Sequence, residues 1–160
     1  MKLLLMKLEG ALQSYGEWAK WDTRDSAQMP TKSAVIGLIA CCMGIPRYDE
    51  RINELHKKLQ FAVRNDRPGS MMTDFHTVQS DNMRIAKGGE KKHTILSPRM
   101  YIMDCAFMVA LSVNDASNEY LIDSCAKALK SPVWVPYLGR KSCVPSSPLF
   151  YGITEEYSSA

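Results

Sequence analysis

The sequence predicts an α+β domain of the ferredoxin-like (RRM-like) type, with the order β-α-β-β-α-β and a protruding basic β-hairpin. Apolar runs of strand type alternate with segments that have the apolar spacing of helices. One basic, glycine-containing stretch without apolar periodicity interrupts this order. Because the chain has 160 residues, of which 46% are hydrophobic, it is long enough to form one domain with its own core.

The first half of the chain is predicted to contain a strand and then a pair of helices. The apolar run 2–9 predicts the first strand, and the aperiodic region 10–29 predicts a long ordered loop. Residues 31–43 start with hydroxyl side chains suited to capping and end at Gly44, which predicts a buried helix. Apolar spacing of three and four residues after Asp49 predicts a second, amphipathic helix.

The second half is predicted to contain four further strands and one helix. Alternation predicts a strand at 61–64, and a short strand is expected at 74–79. The run 100–113 has the composition of a long strand, whereas residues 118–130 have helical spacing. A final strand at 149–153 follows a proline-rich segment.

The arm, which we define as residues 79–99, concentrates positive charge. The chain as a whole has a formal charge of +3, but the part of the arm from Arg84 to Arg99 contains five cations and the single acid Glu90. These cations are Arg84, Lys87, Lys91, Lys92 and Arg99. Clustered cations favour nucleic-acid binding because they release counterions from its backbone, although a solvated hairpin has the same composition. We expect the arm to be an insertion into a single domain that spans residues 1–160.

Two further features are compatible with nucleic acid but also have an ordinary structural explanation. Residues 139–142 (GRKS) are similar to the last residues of a phosphate-binding loop. The glycine that this motif requires further upstream is missing, so nucleotide hydrolysis is not expected. This basic turn either holds an RNA phosphate or is simply an exposed turn. Tyr15, Trp18 and Trp21 in the first loop either stack on bases or are buried.

The sequence predicts neither a metal site nor a cofactor. The histidines His56, His76 and His93 lack the spacing of metal ligands, and no cysteine pair lies near them. A metal-independent ribonuclease is the enzymatic alternative. In it, His93 would move the proton and Lys92 would stabilise the phosphate charge, with Tyr101 nearby.

The sequence also predicts a cytoplasmic protein without membrane contact. The leucine-rich run 3–6 is too short for the core of a signal peptide and is followed by no cleavage site. The longest apolar stretch, 34–45, is about eight residues shorter than a membrane-spanning helix. The five cysteines contain no C-x-x-C motif and lie mostly in apolar stretches, which is typical of reduced thiols in a core.

Five sequence blocks occur in one order along the chain: LEGALQSYG (8–16), PTKSAVIGL (30–38), FAVR (61–64), DFHTV (74–78) and PYLGRKSC (136–143). Together they resemble the Cas-five (CasD) family of type I-E CRISPR Cascade subunits. The chain departs from that family at Glu9-Gly10-Ala11, where the family tends to have a neutral residue and proline. Family members also usually continue for some tens of residues beyond the strand near Phe150.

The resemblance implies a ferredoxin-like domain whose arm is a thumb, and a non-catalytic subunit that binds the 5′ handle of the CRISPR RNA. Its implied partners are the Cas-seven (CasC) backbone subunit, which it would cap, the large CasA-type subunit, and target DNA through the assembled complex. No cofactor is implied. The alternative is a relative of the type I-C enzymes, which cut precursor RNA with Tyr, Lys and His side chains.

Transferred residue by residue, the resemblance implies RNA contacts in the first loop, at the start of the first helix and in the basic turn. These residues are Gln13, Ser14, Tyr15, Arg24, Thr31, Lys32, Ser33, Arg140 and Lys141. The thumb residues are Arg84, Lys87, Lys91, Lys92 and Arg99. A helix start offers free N–H groups and a partial positive charge to a phosphate, and Thr31 and Ser33 can equally be helix caps.

Overall fold

The computed structural model describes residues 2–18, 23–79, 89 and 94–155. Its strands are β1 (Leu3–Gln13), β2 (Leu59–Arg67), β3 (Ser70–Asp74), β4 (Thr77–Val78), β5 (Ile95–Leu96), β6 (Arg99–Val113) and β7 (Phe150–Thr154). Its α-helices are α1 (Lys32–Met43), α2 (Glu50–Lys58) and α3 (Tyr120–Lys130), and a 3₁₀ turn covers Ala116–Asn118. The mixed content of helices and strands is the one that the sequence predicts.

The main sheet has five strands, and all of their pairings are antiparallel. The path through it is β2-β6-β1-β7, and β3 also pairs with β6. The long strand β6 therefore serves three partners: β1 lies along one edge, while β2 and β3 share the other. A separate two-stranded sheet joins β4 to β5.

The core lies between the sheet and the three helices. Alternate residues of β1, namely Leu4, Met6 and Leu8, are almost completely buried, as is Phe107 of β6. Helix α1 buries Val35, Ile36, Leu38, Ile39, Ala40 and Cys42, so it is apolar on most of its circumference. A helix that is apolar nearly all round is buried, which the sequence predicted for this segment.

Local sequence signals set the ends of the first two helices. The Thr31 side chain caps α1 by accepting a hydrogen bond from the Ala34 amide, and Gly44 ends the helix in a left-handed conformation with φ 69°. Asp49 caps α2 by accepting from the Arg51 amide. The guanidinium of Arg51 is the main reason that the pKa of Asp49 falls to about 2.

Two elements differ from the sequence prediction. Strand β1 continues to Gln13 rather than ending near residue 9, because its second half pairs with β6 from Gly10↔Cys105 to Gln13↔Ile102. Of the strand expected at 74–79, only Thr77–Val78 pairs, as β4 with β5, and the preceding residues Ser70–Asp74 form a separate strand, β3, against β6. Both differences come from pairings that are distant in sequence, which no local pattern encodes.

The five cysteines are free, and four of them are buried. Burial raises the pKa of the Cys42 and Cys105 thiols to about 11, so these thiols are protonated near neutral pH. They therefore act as small apolar side chains, as predicted. Within the part of the chain that the structure describes, no helix is both long and apolar enough to cross a membrane.

Candidate nucleic-acid interface

A groove of about 770 Å³ runs along helix α1, and we call it the α1 groove. One wall is the stripe of α1 that the sheet leaves uncovered, and the facing wall is the segment 134–141. The first loop, through Ser14, Tyr15 and Gly16, and the connection from α1 to α2, through Ile45 and Arg47, complete the lining. The lining residues are Ser14, Tyr15, Gly16, Thr31, Ser33, Ala34, Gly37, Leu38, Ala40, Cys41, Ile45, Arg47, Ile52, Trp134, Val135, Tyr137, Gly139 and Lys141.

The α1 groove brings together residues that the sequence analysis selected from three separate stretches. Five of the nine residues assigned to RNA binding line it: Ser14, Tyr15, Thr31, Ser33 and Lys141. The other four, Gln13, Arg24, Lys32 and Arg140, are not among its lining residues. The separate blocks therefore meet on one side of the molecule.

The start of α1 forms one corner of the groove. The Thr31 hydroxyl accepts from the Ala34 amide at 3.3 Å and lies 3.1 Å from the Ser33 hydroxyl. The preceding amides in this first turn have no acceptor within the helix, and the turn contains no acidic residue. Lys32 is partly exposed beside them. This corner combines free N–H groups, hydroxyls and a cation, which suits an anionic ligand.

The basic turn packs against the first loop, backbone to backbone. The Ser14 amide donates to the Leu138 carbonyl at 3.1 Å, and Gly139 adopts φ 93°. A Cβ atom at Gly139 would lie only 1.6 Å from the Ser14 carbonyl oxygen. The Cys143 amide closes the turn by donating to the Arg140 carbonyl at 2.8 Å. Only glycine fits this close approach, which fixes the turn on the groove.

The side chains of Gln13 and Tyr15 face the core rather than solvent. Gln13 Nε2 donates to the carbonyls of Leu8 and Cys105 at 3.1 and 2.9 Å, and its Oε1 accepts from the Tyr15 hydroxyl at 2.5 Å. Burial raises the pKa of Tyr15 far above its usual range. The sequence analysis assigned both residues to RNA contact, but with these internal partners the side chains support the first loop from beneath.

Ser14 is also turned inward. Its hydroxyl donates to the Met100 carbonyl at 3.0 Å, and the residue is only 3% exposed. Two later residues, Ser26 and Ala27, form hydrogen bonds with the Tyr15 backbone. The Ala27 amide donates to the Tyr15 carbonyl at 2.7 Å, and the Tyr15 amide donates to the Ser26 hydroxyl at 2.9 Å. The first loop therefore lines the groove mainly with its backbone and with Gly16, because the Ser14 and Tyr15 side chains bond internally.

Arg140 and Lys141 are neighbours with different surroundings. Arg140 Nη2 donates to the carbonyls of Arg24 and Asp25 at 3.0 and 3.3 Å, and its guanidinium carbon lies 4.6 Å from the centre of the Tyr101 ring. Arg140 is thus half-buried and occupied by internal contacts. Lys141 is exposed and lines the groove, with no hydrogen-bonding partner among the described residues.

The backbone of Arg24 joins this region to the base of the arm. Its amide donates to the Pro98 carbonyl at 3.0 Å, and its carbonyl accepts from the Met100 amide at 2.8 Å. Arg24 and Arg99 therefore form an isolated parallel bridge. We call Arg24, Arg99 and Arg140, together with Tyr101, the arginine cluster. Arg99 Nε and Arg140 Nη1 are buried and have no partner among the described residues.

The base of the arm is paired. Strands β4 and β5 join through Thr77↔Leu96 and Val78↔Ile95, and the Ser97 amide donates to the His76 carbonyl at 2.7 Å. The remaining arm residues assigned to RNA or partner contact, Arg84, Lys87, Lys91 and Lys92, lie outside the described residues, as do His93 and Trp21. Of the residues named for the ribonuclease alternative, the structure describes Tyr101, which is 6% exposed beneath Arg140.

Glu9, the acidic departure from the family pattern, is neutralised by two cations. Lys7 Nζ lies 2.7 Å from one carboxylate oxygen and Arg67 Nη2 lies 2.9 Å from the other. The hydrogen bond from Lys7 is the main reason that the pKa of Glu9 is lowered. Glu9 is not among the residues that line the groove, so its negative charge does not offset the positive charge of the groove.

These features define a class: an antiparallel α+β domain with a cationic groove and a separate two-stranded sheet of β4 and β5, an arrangement suited to a polyanion. The model of the family described as CRISPR-associated protein (Cas_Cas5) matches residues 3–159. The chain therefore belongs to the Cas5 family, which confirms the resemblance found in the sequence. It is 36% identical over 159 residues to the CRISPR system Cascade subunit CasD of Escherichia coli (strain K12), covering 93% of this chain and 70% of the relative.

Two solved structures are similar to the chain over most of its length. A chain of a CRISPR RNA-guided surveillance complex superimposes with a TM-score of 0.79 at 36% identity, covering 92% of this chain and 61% of that one. A structure described as a crystal structure of a Cas protein gives a TM-score of 0.69 at 34% identity, covering 93% and 62%. This chain thus spans about three fifths of the solved chains that it matches.

Proposed function

We propose that the protein is a guide-RNA-binding subunit of a type I CRISPR Cascade surveillance complex and holds the 5′ handle of the guide. The observation that carries this proposal is the α1 groove, where residues from three separate stretches meet beside free helix amides and exposed cations. Family membership supports the same function, because similar chains carry the names of Cascade subunits and of an RNA-guided complex.

Within this proposal, the selected residues divide into two groups. The start of α1, with Thr31, Lys32 and Ser33, contacts phosphate directly, as do the exposed side chains of Arg24 and Lys141. The second group positions these contacts from behind, because its side chains are buried or already bonded. Its members are Gln13, Ser14, Tyr15 and Arg140.

We also propose the finer architecture that the sequence predicts, a single ferredoxin-like domain with an inserted arm at 79–99. The strand path β7-β1-β6-β2, with helices in both crossovers, supports it. The pairing of β4 with β5 supports the arm because it closes the chain on both sides of that segment. In this proposal Arg84, Lys87, Lys91, Lys92 and Arg99 face RNA and the neighbouring backbone subunit.

The proposed partners are the Cas-seven (CasC) backbone subunit, the large CasA-type subunit and, through the assembled complex, target DNA. We propose no catalysis. The surroundings of Tyr101 support this, because a phenol buried beneath a guanidinium cannot approach a scissile phosphate without displacing Arg140. Tyr101 is the one residue of the ribonuclease alternative that the structure describes, and its surroundings do not favour a catalytic role.

The experiment that tests the proposal is co-expression of the chain with a Cas-seven backbone subunit and a repeat array. We expect the purified complex to retain guide RNA whose repeat-derived 5′ end is protected from nuclease. The isolated chain should bind labelled single-stranded handle RNA with an affinity that falls as salt rises. No salt-dependent binding would contradict the proposal.

A cleavage assay separates the binding subunit from the enzyme. The purified chain is incubated with a labelled repeat hairpin in the presence of chelator, and we expect the hairpin to remain intact. Metal-independent cutting that disappears in a His93→Ala variant would establish the ribonuclease instead.

A further inference from the structure

We propose that the middle of the α1 groove holds one unstacked base of the bound RNA, seated over Gly37 and stacked on Trp134, with Arg47 on the adjoining phosphate. This inference rests on the proposed RNA binding and assigns three residues outside the nine selected from the sequence. It identifies a base-binding position within a surface that otherwise contacts phosphates.

The dimensions of the groove suit a nucleotide. Its volume of about 770 Å³ falls within the range of pockets that enclose small ligands. It follows α1 from Thr31 to the connection at Arg47, and a helix of 12 residues is about 18 Å long. A site of this length accommodates a base together with the phosphates on either side of it.

Gly37 leaves the α1 wall of the groove without a side chain at its middle. It lies in the interior of α1, where glycine is less favourable than alanine by about 1 kcal/mol. A Cβ atom added at Gly37 would meet no atom within 4 Å, so neither packing nor backbone conformation explains a glycine here. A flat ring can approach the helix backbone closely only where a side chain is missing.

The charges in the groove favour an anionic occupant. Arg47 and Lys141 lie among its described lining residues, whereas none of those residues is Asp or Glu. The lining also contains exposed apolar side chains, Trp134 and Val135. Cations together with an exposed aromatic ring match a nucleotide, which combines phosphates with an aromatic base, better than a neutral or basic protein segment.

Trp134 is held in place as one wall. The Val133 amide donates to the Cys42 carbonyl at 2.8 Å, and the Cys41 thiol donates to the Val135 carbonyl at 3.6 Å. Val133 also packs so closely on Gly44 that a Cβ atom there would lie 2.8 Å from its Cγ1. The flanking backbone is thus fixed on α1, while Trp134 as a whole remains 46% exposed, so its ring is available for stacking.

The test fills the groove with Gly37→Leu and measures the affinity for labelled single-stranded handle RNA. We expect affinity to fall by about tenfold or more, because one stacked base contributes about that much. The melting temperature should stay the same or rise, because leucine is a better helix former and its Cβ atom meets no neighbour within 4 Å. The matched control is Gly152→Leu in β7, another glycine with free space around its Cβ position, which should bind RNA like the wild type.

A second set of variants tests the stacking wall. Trp134→Ala should weaken RNA binding about tenfold, and Trp134→Phe should restore most of the affinity. RNAs with an abasic site at each handle position in turn should include one that binds the wild type weakly. Trp134→Ala should lose its sensitivity to that same position, which marks the base that occupies the groove.

The possible failures are distinguishable. If Gly37→Leu and Trp134→Ala bind RNA like the wild type, with the salt dependence intact, the base site is refuted and the proposed function stands. If Gly37→Leu instead loses a partner subunit while keeping its RNA affinity, the groove is a protein interface and the base site is again refuted. If the wild type itself has no salt-dependent RNA affinity, the proposed function fails first.

Discussion

The arginine cluster and the α1 groove are both basic, yet they use their cations differently. In the cluster, the guanidinium of Arg140 donates to two carbonyls and covers Tyr101. In the groove, Arg47 and Lys141 are exposed and have no hydrogen-bonding partner within the described parts of the chain. Arg140 and Lys141 are adjacent, so the direction of each side chain, rather than local charge density, separates a structural cation from one available to a ligand.

The largest effect is expected at Gly139, where the two regions share a turn. Gly139→Ala should lower the free energy of unfolding by about 3 kcal/mol, because the new Cβ meets the Ser14 carbonyl and φ 93° disfavours a side chain. Urea denaturation measures the loss. Gly152→Ala is the control and should change stability by less than about 0.5 kcal/mol. Equal losses in both variants would contradict the close contact between the turn and the first loop.

A smaller loss is expected beneath the first loop. Gln13→Leu should destabilise the protein by about 2 kcal/mol, because it leaves two buried carbonyls without their donor and the Tyr15 hydroxyl without its acceptor. Thermal and urea unfolding provide the measurement. Gln28→Leu, at an exposed position in the first loop, is the matched control, and its stability should stay within about 0.5 kcal/mol of the wild type. If Gln13→Leu is as stable as this control, the buried hydrogen bonds of Gln13 are contradicted. Its side-chain amide would then lie at the surface, as the assignment to RNA contact assumed.

The contrast between Arg140 and Lys141 is sharpened by a pair of alanine variants. Arg140→Ala should lower stability by about 1 kcal/mol, through lost hydrogen bonds and the lost contact with Tyr101. Lys141→Ala should leave stability unchanged and reduce the slope of log affinity against log salt by about 0.7. Binding isotherms at several salt concentrations provide the slope. A reduced slope in Arg140→Ala, without loss of stability, would reverse the two assignments.

The smallest effect is expected at Tyr48, next to Arg47 at the far end of the groove. Tyr48 is fully exposed and has φ 71°, a conformation that glycine adopts without strain. Tyr48→Gly should therefore raise the free energy of unfolding by about 0.5 kcal/mol, measured by urea denaturation. Tyr151→Gly, at an exposed strand position, should instead lower it. A loss of stability in Tyr48→Gly would reveal a packing role for the ring.

The elements that depend on local chemistry were predictable from the sequence. The ends of α1 and α2 follow from Thr31, Gly44 and Asp49, which act on amides and carbonyls a few residues away. The second half of β1 was not predictable, because it forms only against the distant strand β6. The buried alternation of Leu4, Met6 and Leu8 also breaks down before Gln13, so periodicity gave no warning.

The candidate site was predictable in outline but not in side-chain direction. The family resemblance predicted that the first loop, the helix start and the basic turn act together in one site. The inward direction of Gln13 depends on carbonyl partners supplied by the tertiary structure, which composition does not encode. The sequence analysis did not select Gly37 or Trp134 as contact residues, although a glycine inside an apolar helix lowers helix stability and can have a functional reason.

The central position of β6 has a consequence for synthesis. Both sheet partners of β1 lie late in the chain, with Leu4 opposite Leu111 and Ile153, so its contact order is high. At a translation rate of about 10 residues per second, the apolar first strand waits roughly ten seconds before β6 can cover it. The nascent chain therefore passes through a stage in which β1 depends on chaperones or on early collapse against α1 to avoid aggregation.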